Sequence, residues 1–331
     1  MKIGVFSTKP YDKEYFEKYE KTHHYRVTFF ETALNSHTAG LTVGLDVVCV
    51  FVNDSVGNDT IEVLSKNGIK LIALRCAGYN NVDLKSAKKH HIKVVRVPAY
   101  SPEAVAEHTV ALILTLNRKT HKAYNRVREG NFSLKNLIGF NLSGKTVGVI
   151  GTGQIGIAFC RIIKGFGCKI VAFDISKSEE LVQLGVQYLP LNEVLQRSDI
   201  LSLHCPLNPK TKHLVNKESI AMMKDGVMVI NTSRGALINT VDIIQGLSDK
   251  KIGYLGMDVY EQEENLFFED LSESIIQDDQ ILRLNSFPNV LITSHQAYFT
   301  KEAMDQITTT TLDNIKAFDE GLELRNEVVA K

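Results

Sequence analysis

Short apolar runs alternate with amphipathic polar stretches along the first hundred residues of the chain. Two of the intervening stretches, Ile61–Asn67 and Leu84–His90, have their apolar positions at helical spacing. The apolar runs lie at Ile3–Phe6, Val27–Phe30, Val47–Val52, Leu71–Leu74 and Val94–Val97. Strands that alternate with helices indicate βαβ units, so the pattern predicts a parallel sheet.

A long helix is predicted directly after this region, from Glu103 to Arg128. Ser101 is a suitable N-cap residue, and Pro102 stands at the first helical position, where proline is favoured. The centre of the segment, Val110–Leu116, is apolar on nearly every side. A helix of this kind is buried on more than one side, so we expect it at a domain junction or a subunit interface.

A second alternating region begins at Lys145, and a terminal amphipathic helix is predicted from Lys301 to Phe318. Its apolar runs lie at Thr146–Ile150, Lys169–Phe173, Ile200–Leu203, Val227–Ile230, Tyr254–Val259 and Val290–Thr293. Together the two regions predict an α/β protein with two parallel sheets.

Length and charge narrow the function. The 331 residues correspond to about two domains. Lysine and arginine total 38, as do aspartate and glutamate, so no basic excess exists for nucleic-acid binding. No apolar run approaches the ~20 residues of a membrane span, and Met1–Phe6 indicates a strand rather than a signal peptide. We expect a cytoplasmic protein with a small-molecule substrate and neither a nucleic-acid nor a membrane partner.

The cysteines are scattered and form no C-x-x-C pair. They are Cys49, Cys76, Cys160, Cys168 and Cys205. This spacing favours free thiols in a reducing compartment over a disulfide framework or a cysteine-rich zinc site. We predict no metal site.

A dinucleotide fingerprint, G-x-G-x-x-G, is formed by Gly151, Gly153 and Gly156 between a predicted strand and a predicted helix. The first glycine allows a tight turn, the second lets the backbone approach a pyrophosphate, and the third permits close helix–strand packing. Asp174 ends the next predicted strand, eighteen positions after Gly156. Its carboxylate can bind the ribose hydroxyls and would repel a 2′-phosphate, so NAD is favoured over NADP.

Three ionisable residues, Arg234, Glu263 and His295, follow predicted strands of the second sheet. Ligands of parallel sheets bind beyond the carboxyl ends of the strands. A guanidinium can hold a substrate carboxylate through two hydrogen bonds, and an imidazolium can protonate a carbonyl oxygen as hydride arrives. A neighbouring carboxylate keeps the imidazole protonated. The three therefore predict hydride transfer to a 2-oxo acid.

His204 is the alternative proton donor, since it also follows a predicted strand. No acidic residue accompanies it, so we prefer His295. The other histidines are expected mostly at the solvated surface.

Several segments, taken together, resemble the D-isomer-specific 2-hydroxyacid dehydrogenase family. They are Arg75–Asp83, Val95–Glu103, Gly148–Gly153, His204–Leu207, Asn231–Gly235, Gly256–Glu261 and His295–Ala297. The resemblance covers nearly the whole chain and implies two doubly wound parallel-sheet domains. A Rossmann NAD domain, residues 101–298, is inserted into a flavodoxin-like substrate domain, residues 1–100 plus 299–331.

The resemblance also implies roles for individual residues. Arg234, Glu263 and His295 match the catalytic positions. Further cofactor contacts are implied for Gln154, Ile155, Asp174, Cys205, Pro206, Thr211, Thr232, Ser233, Arg234 and Asp258. Substrate contacts are implied for Cys76, Ala77, Gly78, Phe51, Tyr100, Tyr298, Phe299 and Arg234. Asparagine is expected at position 211, where this chain has threonine, and this departure leaves one cofactor contact in question.

The resemblance is strongest to members that reduce pyruvate to D-lactate with NADH in fermentation, and family members are homodimers or homotetramers. Two alternatives stay open. One is a sibling enzyme acting on another 2-oxo acid. The other, from a different class, is a non-catalytic NAD-sensing binding protein.

Overall fold

The computed structural model describes residues 1–263 and 266–330, without the side chains of residues 20–23, and divides the chain into two compact units. One unit is Met1–Ser101 together with the C-terminal stretch that begins at Phe299; the other is Pro102–Tyr298. Each unit has its own sheet, and every strand pair in both sheets is parallel. The predicted α/β class with two parallel sheets is confirmed.

The first unit contains five strands in the order β2-β1-β3-β4-β5, which is the flavodoxin-like order. The strands are β1 Lys2–Val5, β2 Arg26–Phe29, β3 Val47–Val50, β4 Leu71–Leu74 and β5 Lys93–Arg96. Its helices are α1 Pro10–His23, α2 Asn58–Lys66, α3 Leu84–Lys89 and, from the C-terminal stretch, α12 Lys301–Asp319. Helices α1 and α12 pack together, and Leu312 and Ile315 join Ile3 and Leu71 in the core.

The second unit contains seven strands in the order β12-β11-β10-β9-β6-β7-β8. The strands are β6 Thr146–Ile150, β7 Lys169–Phe173, β8 Gln187–Tyr188, β9 Ile200–Leu203, β10 Val227–Asn231, β11 Ile252–Met257 and β12 Val290–Ile292. Numbered from β6, this is the Rossmann order with one added strand. The helices are α4 Pro102–Arg118, α5 Thr120–Arg128, α6 Gln154–Gly165, α7 Glu179–Gln183, α8 Leu191–Arg197, α9 Lys217–Met222, α10 Thr240–Ser248 and α11 Asp279–Ser286.

The prediction of a single long helix from Glu103 to Arg128 is wrong, because the structure has two helices there. Helix α4 starts at Pro102 as expected but ends at Arg118, and Lys119 has a left-handed φ of 51° before α5 begins. The Asn117 side chain, in the last turn of α4, exchanges two hydrogen bonds with the backbone of Phe140. The spacing of apolar residues does not reveal these long-range hydrogen bonds, so it could not predict where α4 ends. The centre of α4 is buried at Leu112, Ile113 and Leu116, whereas Ala111 is exposed.

The predicted strand Tyr254–Val259 is displaced by two residues from the observed β11, Ile252–Met257. Asp258 therefore lies in the turn after the strand, where its side chain can serve the loops of the sheet edge. Within the described residues, none of the helices combines the length and apolar composition needed to cross a bilayer.

The strand registers align the segments that the sequence analysis singled out. Asn231 of β10 lies opposite Leu203 of β9 and Met257 of β11, and Met257 lies opposite Ile292 of β12. Ile150 of β6 lies opposite both Leu203 and Phe173 of β7. The segments that follow these residues consequently start at one carboxyl edge of the seven-stranded sheet.

Candidate active site

The three fingerprint glycines at the end of β6 answer to different constraints. Gly151 has a φ of 95°, and a Cβ atom there would lie 2.5 Å from the backbone nitrogen of Cys205. A Cβ on Gly156 would lie 2.1 Å from the carbonyl oxygen of Gly151. A Cβ on Gly153, in contrast, would meet no described atom within 4 Å. Packing explains the first and third glycines, whereas the second leaves the backbone open to a close approach such as that of a pyrophosphate.

Helix α6 begins at Gln154, and no side chain caps the N-terminus at Gly153. The first N–H groups of a helix have no intrahelical partner, and the helix dipole adds partial positive charge at this end. Gln154 and Ile155 thus offer backbone donors that suit an anionic phosphate.

Asp174, directly after β7, is tied to the fingerprint loop. Its Oδ2 accepts hydrogen bonds from the backbone N–H of Thr152 at 2.5 Å and from the Thr152 hydroxyl at 3.1 Å. The Thr152 hydroxyl in turn accepts a hydrogen bond from Tyr188 at 3.0 Å. Sequence analysis missed Thr152 and Tyr188, which hold the carboxylate beside the loop.

The surroundings of two ionisable side chains after β9, buried Cys205 and half-buried His204, favour their uncharged forms. His204 lies 2.9 Å through Nε2 from the Ser202 hydroxyl, and no described residue partners its Nδ1. Burial lowers the pKa of His204 to about 3. Burial likewise raises the pKa of the Cys205 thiol to about 11. A histidine that stays neutral throughout the physiological range is poorly suited to donate a proton, which weakens the alternative of His204 as the acid.

Thr211, the departure from the family pattern, closes its own loop. Its hydroxyl donates to the carbonyl of Pro206 at 2.6 Å and accepts from the N–H of Asn208 at 2.9 Å. Thr211 therefore shapes the Pro206 loop, and a direct cofactor contact by it stays a prediction.

The side chain of Asn231 fixes the turn after β10 through two hydrogen bonds. Its side chain donates to the carbonyl of Arg234 at 2.9 Å and accepts from the N–H of Ser233 at 3.1 Å. The Ser233 hydroxyl donates to the carbonyl of Cys205 at 2.8 Å, and buried Thr232 lies 2.9 Å from Thr109 of α4, hydroxyl to hydroxyl. The turn holds Arg234 half-buried at the sheet edge.

Glu263 and His295 meet beyond β11 and β12. The Nδ1 atom of His295 lies 2.9 Å from Oε1 of Glu263, and Oε2 of Glu263 accepts the N–H of Tyr260 at 2.9 Å. The His295 side chain retains 16% exposure. Its backbone has a left-handed φ of 53°, unusual for a residue with a side chain, and such strain concentrates at functional sites. With Nδ1 facing the carboxylate, Nε2 is the nitrogen available to a substrate.

Asp258, predicted as a cofactor contact, is fully buried and anchors the loop that carries His295. Its Oδ1 accepts from the Thr293 hydroxyl at 2.5 Å and the Gln296 N–H at 2.9 Å, and its Oδ2 accepts from the Ala297 N–H at 2.8 Å. Burial raises the pKa of Asp258, but hydrogen bonds, first that of His108, outweigh it and hold the pKa below the usual range. A cofactor contact by Asp258 stays a prediction.

Four histidines, His90, His108, His121 and His213, are half-buried and do not match the expected solvated surface. His108 of α4 lies 3.1 Å from the Thr293 hydroxyl and 3.5 Å from Asp258. His213 lies 2.6 Å from Glu261. Both pairs join residues far apart in the chain, so no local spacing predicts them. A polar residue on the half-buried side of α4 was the only available signal for His108.

The first unit holds most of the residues implied in substrate binding, after strands β3, β4 and β5. Buried Phe51 stacks on the guanidinium of Arg75, 4.8 Å from its ring centroid. The thiol of Cys76 donates to the carbonyl of Gly78 at 3.2 Å, and the carbonyl of Ala77 accepts from Arg96 at 2.7 Å. These contacts fix the shape of the loop through its carbonyl groups, so its backbone N–H groups are not used by them.

Three aromatic residues implied in the side-chain pocket lie near the unit boundaries. Tyr100 is half-buried near the end of the first segment of its unit. Tyr298 is buried in the second unit, whereas Phe299 belongs to the first and packs edge-on against Tyr11 at 4.6 Å. The structure therefore does not gather the implied aromatic residues into one cluster within a unit.

Comparisons with known proteins show which family the chain is similar to. A sequence model of the D-isomer specific 2-hydroxyacid dehydrogenase family, NAD binding domain, matches residues 110–297. The D-lactate dehydrogenase of Escherichia coli is 51% identical over 99% of this chain and 100% of its own length. A 2-hydroxyacid dehydrogenase homolog of Haemophilus influenzae is 53% identical, with 99% of each chain covered. The solved structure of a pyruvate reductase of Chlamydomonas reinhardtii is similar with a TM-score of 0.93 at 46% identity, covering 98% of each chain.

Proposed function

The chain belongs to the D-isomer-specific 2-hydroxyacid dehydrogenase family, and from that premise we propose that it reversibly reduces pyruvate to D-lactate with NADH. It is an NAD-dependent dehydrogenase of this family. The observation that carries the proposed chemistry is the 2.9 Å contact between His295 Nδ1 and Glu263. A histidine oriented by a carboxylate is suited to give a proton to a carbonyl oxygen.

Arg234 binds the substrate carboxylate in this proposal, because a guanidinium matches a carboxylate with two parallel hydrogen bonds. Nε2 of His295 donates its proton to the carbonyl oxygen, and Glu263 stabilises the imidazolium beforehand. NADH, when bound, supplies the hydride that reduces the carbonyl carbon. The product is the 2-hydroxy acid, and His295 accepts the proton in the reverse direction.

Residues at the carboxyl edge of the seven-stranded sheet, most of them after β6, β7, β9 and β10, hold the dinucleotide in this proposal. Gly153, Gln154 and Ile155 face the pyrophosphate with backbone N–H groups, and Asp174 binds the ribose hydroxyls. The remaining cofactor contacts are Gly151, Gly156, Cys205, Pro206, Thr211, Thr232, Ser233, Arg234 and Asp258. The open space beside the Cα atom of Gly153, where a Cβ atom would meet no described atom within 4 Å, supports this assignment.

The backbone N–H groups of Cys76, Ala77 and Gly78 also bind the carboxylate in this proposal. The aromatic side chains Phe51, Tyr100, Tyr298 and Phe299 select a small apolar substituent, of which the methyl group of pyruvate is the simplest. The similarity to a protein named a pyruvate reductase supports this choice.

We also propose a homodimer or homotetramer, working in the cytoplasm to regenerate NAD in fermentation. Helix α5 has no buried residue, and large apolar side chains on it and in the following segment are exposed, including Tyr124 at 62% and Ile138 at 84%. Exposed apolar patches of this kind mark protein–protein contacts. All five cysteines are buried, and none of them takes part in a disulfide, which is compatible with a reducing compartment.

The test is NADH oxidation with pyruvate, 2-oxoisocaproate, glyoxylate and hydroxypyruvate under matched conditions. Pyruvate should turn over fastest, at ordinary enzyme rates of roughly 1 to 1,000 per second. Faster turnover of another 2-oxo acid would keep the mechanism and replace the substrate. Tight NADH binding without turnover of any of them would refute catalysis and favour an NAD-sensing protein.

A further inference from the structure

His213 and Glu261 form a second histidine–carboxylate pair, and Glu261 lies on the same turn as Glu263. Nε2 of His213 lies 2.6 Å from Oε1 of Glu261, and Oε2 of Glu261 accepts from the Thr240 hydroxyl at 2.9 Å and the Thr240 N–H at 3.3 Å. Burial raises the pKa of Glu261, but the hydrogen bonds from His213 and Thr240 outweigh it and hold the pKa below its usual range. Glu261 is therefore an engaged carboxylate for which the proposed reaction has no task.

The turn Tyr260–Glu263 links the two pairs. Tyr260 is buried, and its hydroxyl donates to Asp278 at 2.8 Å. Its N–H donates to the carboxylate oxygen of Glu263 that does not face His295. A shift of the turn at Glu261 would consequently move Glu263 relative to the imidazole of His295.

The same turn lies against the loop that carries Arg234. A Cβ atom on Gly235 would lie 2.1 Å from the carbonyl carbon and oxygen of Tyr260. The residues after Gly235 also pair with the segment of His213, because the His213 N–H donates to Ala236 at 2.8 Å. His213 and Glu261 thus join the Arg234 loop to the Glu263 turn from both sides.

We propose that His213 and Glu261 are positioning residues that hold Glu263 beside His295 and keep the Arg234 loop in place. The inference rests on the function proposed above. Neither residue touches the reacting atoms in this account. The contact persists when His213 is neutral, since an imidazole with its hydrogen on Nε2 still donates to the carboxylate.

The experiment compares Glu261→Ala with Glu261→Gln in pyruvate reduction. Alanine removes every contact of the carboxylate, whereas glutamine keeps an oxygen for Thr240 and an amide that His213 can accept from. We expect kcat to fall by about tenfold to a hundredfold in Glu261→Ala, the scale of a small misplacement in an active site, and to recover within about threefold of wild type in Glu261→Gln.

Two readouts separate positioning from general destabilisation. In Glu261→Ala the basic limb of the pH profile of kcat/KM should move, because Glu263 is no longer held in place beside His295. The Kd for NADH should stay unchanged within about threefold. The chain has no tryptophan, so the fluorescence of NADH itself reports binding without interference.

Glu193→Ala is the matched control, because it breaks an exposed 2.6 Å ion pair with Arg197 on α8. It should leave the rate and the pH profile unchanged. If Glu261→Ala does not fold, His213→Gln tests the same pair and should shift the pH limb in the same direction by a smaller amount.

A wild-type rate and pH profile in Glu261→Ala, or equal losses in the alanine and glutamine variants, would overturn the inference. Failure of the proposed function has a different signature, namely a wild-type protein that turns over no 2-oxo acid.

Discussion

The carboxyl edge of the seven-stranded sheet has two halves, and the histidines in the two halves have different environments. In the half formed by β6, β7 and β9, the histidine that follows a strand, His204, is half-buried with its Nδ1 shielded from solvent, and burial lowers its pKa to about 3. In the half formed by β10, β11 and β12, the corresponding histidine, His295, is partly exposed and paired with Glu263. Two histidines that follow strands of one sheet therefore have different surroundings, because His204 faces a serine hydroxyl and His295 faces a carboxylate.

The difference follows from partners and solvent rather than from residue type. His204 lies beside the Ser202 hydroxyl and the ring of Phe159, neither of which carries a charge, so burial decides its protonation. His295 faces a carboxylate that also accepts the N–H of Tyr260. In the proposed function, the first half lets a dinucleotide approach the backbone closely, while the second half contributes proton transfer, carboxylate binding and further cofactor contacts.

His295→Ala should have the largest effect on turnover of all the substitutions considered in either half. Removal of a general acid costs about a hundredfold to ten-thousandfold in rate, so we expect kcat for pyruvate reduction to fall by roughly a thousandfold. The Kd for NADH should change little, since His295 is not among the proposed cofactor contacts. Retained turnover would reassign the proton donor to His204.

Arg234→Lys should have the next largest effect, because a single ammonium cannot form the two parallel bonds of a guanidinium. We expect KM for pyruvate to rise by about tenfold to a hundredfold, with a smaller change in kcat. Arg197→Lys on the exposed surface of α8 is the control and should leave both constants unchanged. A drop in kcat alone would assign Arg234 to the chemical step.

Asp174→Ala tests the dinucleotide half. Without the carboxylate the repulsion of a 2′-phosphate is lost, and the preference for NADH over NADPH should fall by about tenfold. Asp225→Ala, which removes a carboxylate that is 90% exposed, should keep the wild-type ratio. An unaltered ratio in Asp174→Ala would mean that another group reads the ribose.

His204→Gln should change turnover least, within about threefold, and should instead change the pH dependence of stability. The pKa of His204 is about 3 in the folded chain against an ordinary value of 6.5. Only the unfolded chain binds this proton between those values, so the free energy of unfolding falls as pH decreases through this window.

At pH 5 this single group costs about 2 kcal/mol of stability relative to pH 7. Urea unfolding at both pH values should show that this difference is smaller in His204→Gln by about the same amount. An identical pH dependence in the variant would show that His204 is not buried in its neutral form.

The sequence predicted the strand ends well, because apolar runs and the glycine fingerprint are local signals. It placed Gly151, Asp174, Arg234 and His295 after strands of one sheet, as the registers now show. It did not predict the break at Lys119, where a tie between Asn117 and Phe140 ends the helix.

The supporting hydrogen bonds were also beyond prediction. His108 and Thr293 are 185 positions apart, and His213 and Glu261 are 48 apart. Neither separation leaves a periodic pattern in the chain. The residues that perform the proposed chemistry are therefore easier to find in a sequence than the residues that hold them in place.

The most direct test of the central claim is the reverse reaction of the wild-type enzyme with NAD and each enantiomer of lactate. In the proposed account the carboxylate is held by Arg234 and the hydroxyl by His295, so one enantiomer alone can present its C2 hydrogen to the nicotinamide. Membership of the D-isomer specific family assigns that enantiomer to D-lactate. We predict NAD reduction with D-lactate and none above background with L-lactate. Equal rates with both, or a rate with L-lactate alone, would contradict the account.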